Sequence, residues 1–535
     1  MKKRILAIIL SLLMILCMVS GCGGSKDSDK TTTETTSAEK KDKKDKNKDK
    51  AKDEDEDEDE ETAVVDAVDT AYTFDSDVRY VMIYNPYIYD EEVARDRSSL
   101  NTGDLESQIE SNLKRADSLG NPNEFGRISV DETLNGAEAP VISLDDEQDR
   151  AGFMAPIYSE GDTHEFYYGL DNLRDSMEFT CLYEGEYCYV WSDGSIDEDQ
   201  AENFGDEFDN NIYEQVTEMC GEARFVEEGG KISMLFYDFD SGNENLIGFF
   251  HNLDLYSSLE LSEDLIDEYH LNVDHAIINL NSYAFSYFYE YDEYIDLAYS
   301  TIAHEFQHLI AMSDFFYTRG EGTSFNSWLN EAMSGYVEEQ LYPGCKENEG
   351  DFSALESSDL IREGQSLYNF TTDADDIGVY GSVYLFAVYL AENYGEDIFA
   401  DIHSYWRDSN SKTLSCAEAI RASVSESDAK SISKKFIYPE DVELPDDDSL
   451  WLSKLALDFY MTMFTETQNK KSECSNIDAE YLLYDEIDPA DIEGGGRIIV
   501  QTSDDSFTIP EEADYGLIYI GFDEDFEFVD EIIYK

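Results

Sequence analysis

Between Ala71 and about Trp191 the apolar positions come in short, nearly alternating runs, VRYVMIYN, ISLDD and FTCLYEGEYCYVW, separated by polar loops. Alternation at every second residue puts apolar side chains on one face of an extended chain, so this stretch reads as β-rich. From Glu198 to about Phe436 the period lengthens to that of a helix in EQVTEMCGEARF, in the segment around Ile302 and in YGSVYLFAVYLAENYG. One strongly β-like stretch, KISMLFYDFD, interrupts it. The tail mixes a helical pattern, SLWLSKLALDFYMTMFTE, with strand patterns in RIIVQTS, SFTIP and YGLIYIGF. The expected fold class is α+β, with a β-rich N-terminal domain over 71–197, a central domain over 198–440 and a C-terminal helix and β region over 441–535. No internal repeat is present.

The chain opens differently. Lys2, Lys3 and Arg4 precede an apolar run, Ile5 to Val19, that is too short for a typical membrane span, and V-S-G-C follows, ending at Cys22. This resembles the lipobox of a bacterial lipoprotein signal. The resemblance implies removal of a signal peptide, 1–21, a lipid on the Cys22 thiol, and a mature protein anchored outside the cytoplasmic membrane. The plainer reading is a secretory signal with Cys22 merely near its cleavage site. Residues 22–70 read as a disordered tether: Gly/Ser, then Thr-rich, then Lys/Asp alternation, then DEDEDEDEE. With so few apolar side chains it cannot offset the entropy of ordering.

Charge narrows the partners. Among 535 residues, 37 are basic and 121 acidic, a formal net charge of −84. Such a chain repels nucleic acid, so no nucleic-acid partner is expected, and a cationic peptide, a cell-wall protein or a host protein suits it better as substrate. Apart from Cys22, the mature chain has Cys181, Cys188, Cys220, Cys345, Cys416 and Cys474. One pair is local: Cys181 and Cys188 flank a Gly-containing turn, as in a hairpin whose strands a disulfide would cross-link.

The seven histidines of this chain make TIAHEFQHLI, residues 301–310, conspicuous. Ile295, Ala298, Ile302, Phe306, Leu309 and Ile310 recur near helical spacing, which predicts a buried helix. On it, His304 and His308 lie one turn apart on one face, a geometry that suits one zinc ion. Glu305, rotated about 100° from His304, can reach a water that the metal activates and take its proton as the water attacks a carbonyl. Two core histidines with a Glu between them are the bland alternative, but with His this scarce the pattern arises by chance in on the order of one such chain in a hundred. A catalytic zinc normally has a third protein ligand, so one is expected downstream.

SWLNEAMSGYVEEQ, from Ser327 to Gln340, is apolar on one side and predicts a second helix. Its Asn330-Glu331 resembles the N-E-x-x-S element that supplies the Glu ligand in gluzincin metallopeptidases, and Glu331 follows His308 by twenty-three residues. AHEFQHLI, WLNEAMSGYVEE and VYGSVYLFAVYLAENYG together most resemble the hyicolysin-like neutral zinc metallopeptidases, with weaker echoes in EGEYCYVW and YGLIYIGF. The resemblance implies a zincin catalytic domain, Glu331 as third zinc ligand, and an edge strand on which an extended peptide lies. DHAIINLNSY, Asp274 to Tyr283, is the expected edge strand; its His275 is expected to be structural, because a fourth protein ligand would take the position water needs. Tyr380 is the expected oxyanion donor, with Tyr384 one turn on. Ser334 is followed by Gly335 where the thermolysin-type element has an Asp that orients a zinc-bound histidine; Glu338, Glu339 or Asp296 is expected to substitute.

DFDSGNEN, 238–245, alternates oxygen ligands as a structural calcium site would, but it puts Gly where an EF-hand loop wants a carboxylate and lacks the closing Glu. Solvated charge is the simpler expectation there. Two functions follow. One is an extracytoplasmic, membrane-anchored zinc metalloendopeptidase with His304, His308 and Glu331 on the metal and Glu305 as general base. The other is a non-catalytic surface lipoprotein, a degenerate peptidase scaffold or a transporter receptor, that binds peptide or protein. An intact H-E-x-x-H with a correctly spaced Glu favours the first.

Overall fold

The computed structural model describes residues 63–88 and 154–535, apart from 170–173, 240–245, 256–265, 268–269, 292–293, 320–326, 346–363, 365, 369–377, 409–415, 441, 445, 467–476, 478–481, 485–491, 503–506 and 512–515. The signal peptide, Cys22, the tether up to residue 62, the ISLDD run and most of 238–245 lie outside the described residues.

In chain order the longer strands are β1 (Tyr80–Tyr84), β2 (Thr163–Tyr168), β3 (Asp175–Glu184), β4 (Cys188–Ser192), β5 (Ile232–Tyr237), β6 (Gly248–Phe250) and β7 (Ala276–Asn281). β8 (Arg497–Gln501), β9 (Ile518–Phe522) and β10 (Phe528–Tyr534) complete them. The first sheet has the order β2-β3-β4-β5-β7-β6. β4, β5 and β7 run parallel at its centre, while β2, β3 and β6 pair antiparallel. The central strands are buried along their whole length, as expected where both faces of a sheet are covered. Val190, Met234, Phe236, Ile278 and Leu280 pack on one face against Phe204, Ile302, Phe306 and Leu309 of the helices. Tyr189, Trp191, Leu235, Tyr237 and Ile277 pack on the other against Phe166 and Phe179.

The second sheet has the order Leu483–Tyr484, β8, β1, β9, β10, Asp66–Ala67. β1 is paired on both sides by C-terminal strands. Strands from 71–197 are thus shared between two sheets, one continuing into the central segment through the β4–β5 ladder and one into the tail. All described residues belong to one compact unit. Residues 63–67, inside the stretch expected to be a tether, are paired in strands. Ala63–Val64 pairs with Phe436–Ile437, and Asp66–Ala67 with Ile533–Tyr534, because Val65 supplies an apolar anchor that is buried.

Two expectations need correction. β3 and β4 do form the hairpin, but Cys181 packs in the core on one face of the sheet and Cys188 in the core on the other, so their Sγ atoms point apart. Cys181, Cys188, Cys220, Cys345 and Cys416 are all buried, and none of these five forms a disulfide. The expected edge strand is also internal: β7 is paired by β5 on one side and β6 on the other, and the edge is β6.

The helices that matter for the site follow β7. Asn281 ends the strand and caps α1 (Ser282–Glu290), its side chain accepting from Tyr283 N at 3.1 Å and donating to Leu246 O at 2.8 Å. Next come α2 (Ile295–Arg319) and α3 (Ser327–Leu341), then α4 (Gly378–Tyr394) and α5 (Ile398–Asp408). α2 lies against the first sheet, α3 packs on α2, and α4 packs on α3. No helix among the described residues is long and apolar enough to cross a membrane.

Candidate metal centre

α2 forms where the apolar period predicts a helix, and Ala298, Ile302, Phe306 and Leu309 bury its sheet-facing side. That fixes the azimuth of His304 and His308, which turn toward α3 with ring centroids 4.4 Å apart and planes nearly perpendicular. α3 is anchored by Trp328, Leu329 and Met333 in the largest core, and it presents Glu331 to both rings. His304 Nε2 stands 3.4 Å from Glu331 Oε2, and His308 Nε2 stands 3.5 Å from Glu331 Oε1. All three side chains are buried, and these ligand atoms form a group able to hold one metal ion.

The spacing is informative. The oxygens of Glu331 are buried and make no hydrogen bond, an arrangement that costs free energy unless something else compensates it. Tetrahedral ligands 2.0–2.2 Å from one zinc ion stand about 3.3–3.6 Å apart, and each Nε2 stands at such a distance from one of the Glu331 oxygens. Two imidazole nitrogens and a carboxylate are also the donor types zinc takes. Burial, the largest influence, pushes the Glu331 carboxyl up, but the charge of His308 and the polar contacts of both imidazoles outweigh it and hold the group well below the usual carboxylate range. It is therefore an anion at neutral pH, as a ligand must be.

Of the three candidates for orienting a histidine, Glu338 is in place: its Oε1 accepts from His304 Nδ1. Position 338 lies seven residues after 331, two turns on along the same face of α3, so one helix presents both carboxylates to α2. With Nδ1 carrying the proton, Nε2 offers its lone pair toward Glu331. Glu339 accepts instead from Gly344 N at 2.7 Å, and Asp296 sits in the first turn of α2. Replacing Glu338 with Ala is expected to weaken zinc binding about 10–100-fold; competition with a chromogenic chelator measures it, and an unchanged affinity would contradict the role.

Glu305 is buried between α2 and the edge of the sheet. A Cβ at Gly248 in β6 would stand 3.3 Å from Glu305 Cγ and 3.0 Å from Thr301 Cγ2, so a larger residue there would crowd both side chains. Tyr380 lies in the first turn of α4, half-buried against the largest core, and Tyr384 is part of that core. His275 is structural, as expected: Nδ1 donates to Val273 O at 2.8 Å, so Nε2 accepts from Tyr158 Oη at 3.0 Å. Sequence reasoning missed β6, since three residues, GFF, are too few to show a period.

Buried histidines outside this centre give a pH signature. Burial, the main cause, lowers His251 to about 3 and His275 to about 4, with Arg174 adding to the first and His164 to the second. An unfolded imidazole titrates near 6.5. The folded values lie below the unfolded one, so the unfolded chain binds more protons in between. This stabilisation is complete above about pH 6.5 and is lost as pH falls toward 4. The melting temperature of the metal-free protein should fall over that window, with a shallower slope in His275→Gln; identical slopes would contradict the assignment.

Sheet, helices and cluster together define an α+β protein with a buried His–His–Glu group fit for one metal ion. No family model matches the chain. It is similar to the neutral metalloprotease ShpI of Staphylococcus hyicus, at 30% identity over 231 residues, 41% of this chain and 49% of that protein. The chain thus spans about half the length of this curated relative. Among solved structures it matches yeast LTA4 hydrolase in complex with bestatin at 14% identity and a TM-score of 0.31, covering 55% of this chain and 44% of that one. That likeness is too low to bear on the function.

Proposed function

We propose that the chain is an extracytoplasmic zinc metalloendopeptidase, anchored to the membrane by a lipid on Cys22, that hydrolyses peptide or protein substrates. The observation that carries this reading is the spacing of His304 Nε2, His308 Nε2 and the Glu331 oxygens, longer than an ordinary hydrogen bond and suited to ligands of one ion. The similarity to a neutral metalloprotease supports it. A zinc ion held there supplies Lewis acidity, polarising a carbonyl and lowering the pKa of water to about 7.

The protein's own groups do the rest. Glu305 takes a proton from the attacking water and returns it to the leaving amine. Glu338 holds His304 in the tautomer that frees Nε2. Tyr380 is the proposed donor to the developing oxyanion. A substrate backbone pairs with the edge of β6 that no described strand covers, which runs alongside Glu305. The surplus of acidic residues favours cationic peptides.

The test uses the chain from residue 63 onward, loaded with zinc, on casein and on basic peptides. Cleavage that a chelator abolishes and added zinc restores is the expected result. Bound zinc without cleavage of any of them would leave the binding-lipoprotein reading in its place.

A further inference from the structure

A buried polar network lies apart from the His–His–Glu group, and the proposed chemistry does not use it. Arg174, one residue before β3, donates through Nη1 and Nη2 to the two oxygens of Asp254 at 2.8 and 2.7 Å, and both side chains are buried. Asp254 belongs to the single helical turn Asn252–Leu255, which follows β6 with only His251 between them. The same guanidinium donates to His270 O at 2.8 Å, and Asp254 accepts from Asn272 N at 3.1 Å. Asn272 in turn exchanges two hydrogen bonds of 2.8 Å with the backbone of Tyr167 in β2. β2 and β6 are opposite edges of one sheet, so the network laces the continuation of one edge to the other.

β6 needs such an anchor. It is three residues long and among the described residues pairs only with β7, through Gly248–Leu280, Phe249–Asn279 and Phe250–Ile278. It also leans directly on α2, with Gly248 against Thr301 and Glu305. Any displacement of the strand therefore moves the wall beside the proposed general base and the edge available to a peptide.

We infer that the Arg174–Asp254 pair is a positioning element for substrate: it holds β6 at the separation from Glu305 that a bound peptide backbone requires, and so sets substrate affinity rather than turnover. This rests on the peptidase reading. Neither residue touches the reacting atoms; both act through the strand.

Because breaking a buried pair leaves one charge uncompensated, the test uses the double variant Arg174→Met/Asp254→Leu, which removes both charges, and Gly248→Ala, which crowds β6 against Thr301 and Glu305 with the pair intact. Each is compared with wild type for KM and kcat on a basic peptide, zinc per chain, and hydrogen exchange of the β6 amides. In both variants KM should rise about tenfold or more with zinc retained, and in the double variant kcat should stay within about threefold. In the double variant the β6 amides should also exchange about tenfold faster or more. A folded double variant with unchanged KM, or a loss confined to kcat, would overturn the inference. A wild type that cleaves no peptide would overturn the peptidase reading, while faster exchange in the double variant would still support the pair's hold on β6.

Discussion

Glu305→Gln is expected to lower kcat by about 10²–10⁴-fold while zinc stays at one ion per chain, because a general base contributes an acceleration of that size. Gln has nearly the same shape, so its place beside Gly248 and the burial of the side chain are kept. What disappears is the ability to take a proton. The loss should therefore fall on kcat, with KM nearly unchanged, and the pH dependence of the residual rate should lose its acidic limb. Steady-state kinetics with metal analysis on the same sample checks this. A variant that keeps zinc and cleaves at the wild-type rate would exclude Glu305 as the base.

Glu331→Gln should act on the metal rather than on the proton. An amide is a poor zinc ligand, and its loss leaves only two imidazoles to hold the ion. The expected drop in zinc affinity exceeds the 10–100-fold that loss of an orienting partner such as Glu338 costs. Folding reads the same difference: with zinc at about 1,000 times its dissociation constant the wild type gains about 4 kcal/mol, and most of that gain should vanish in the variant. Thermal unfolding with and without zinc measures both effects. Equal zinc-dependent shifts in the two proteins would show that Glu331 does not hold the metal.

How far the sequence carries this picture differs from residue to residue. His304 and His308 are legible because helical periodicity fixes azimuth, so that i and i+4 share one face of a helix, whereas Glu331, one of three glutamates on its helix, is legible through the resemblance of Asn330-Glu331 to the N-E-x-x-S element. Glu338 is legible only as one of several acids, since choosing among 338, 339 and 296 needs the roll of α3 about its axis, which Trp328 and Met333 set through the core. Strand partners are a different matter. Alternation in VRYVMIYN shows that a strand forms and which side chains share a face, but not that β1 slots between β8 and β9, more than four hundred residues later. The same gap explains the edge strand. β7 has the stronger β pattern because it is buried on both faces, and it is internal for the same reason.

The cysteines illustrate a related limit. A hairpin with a cysteine on each strand looks cross-linkable in one dimension, yet side-chain period 2 and the register of Cys181 with Trp191 send the two thiols to opposite faces. Arg174 and Asp254, eighty residues apart, carry no sequence signal at all. Their pairing emerges only when the sheet brings its two edges into one network.

The most direct test of the metal centre is anomalous scattering at the zinc edge from crystals of the zinc-loaded protein. The expected result is a single peak about 2.0–2.2 Å from His304 Nε2, His308 Nε2 and one oxygen of Glu331. A peak coordinated by other residues, or none with Glu331 turned away from both rings, would contradict it.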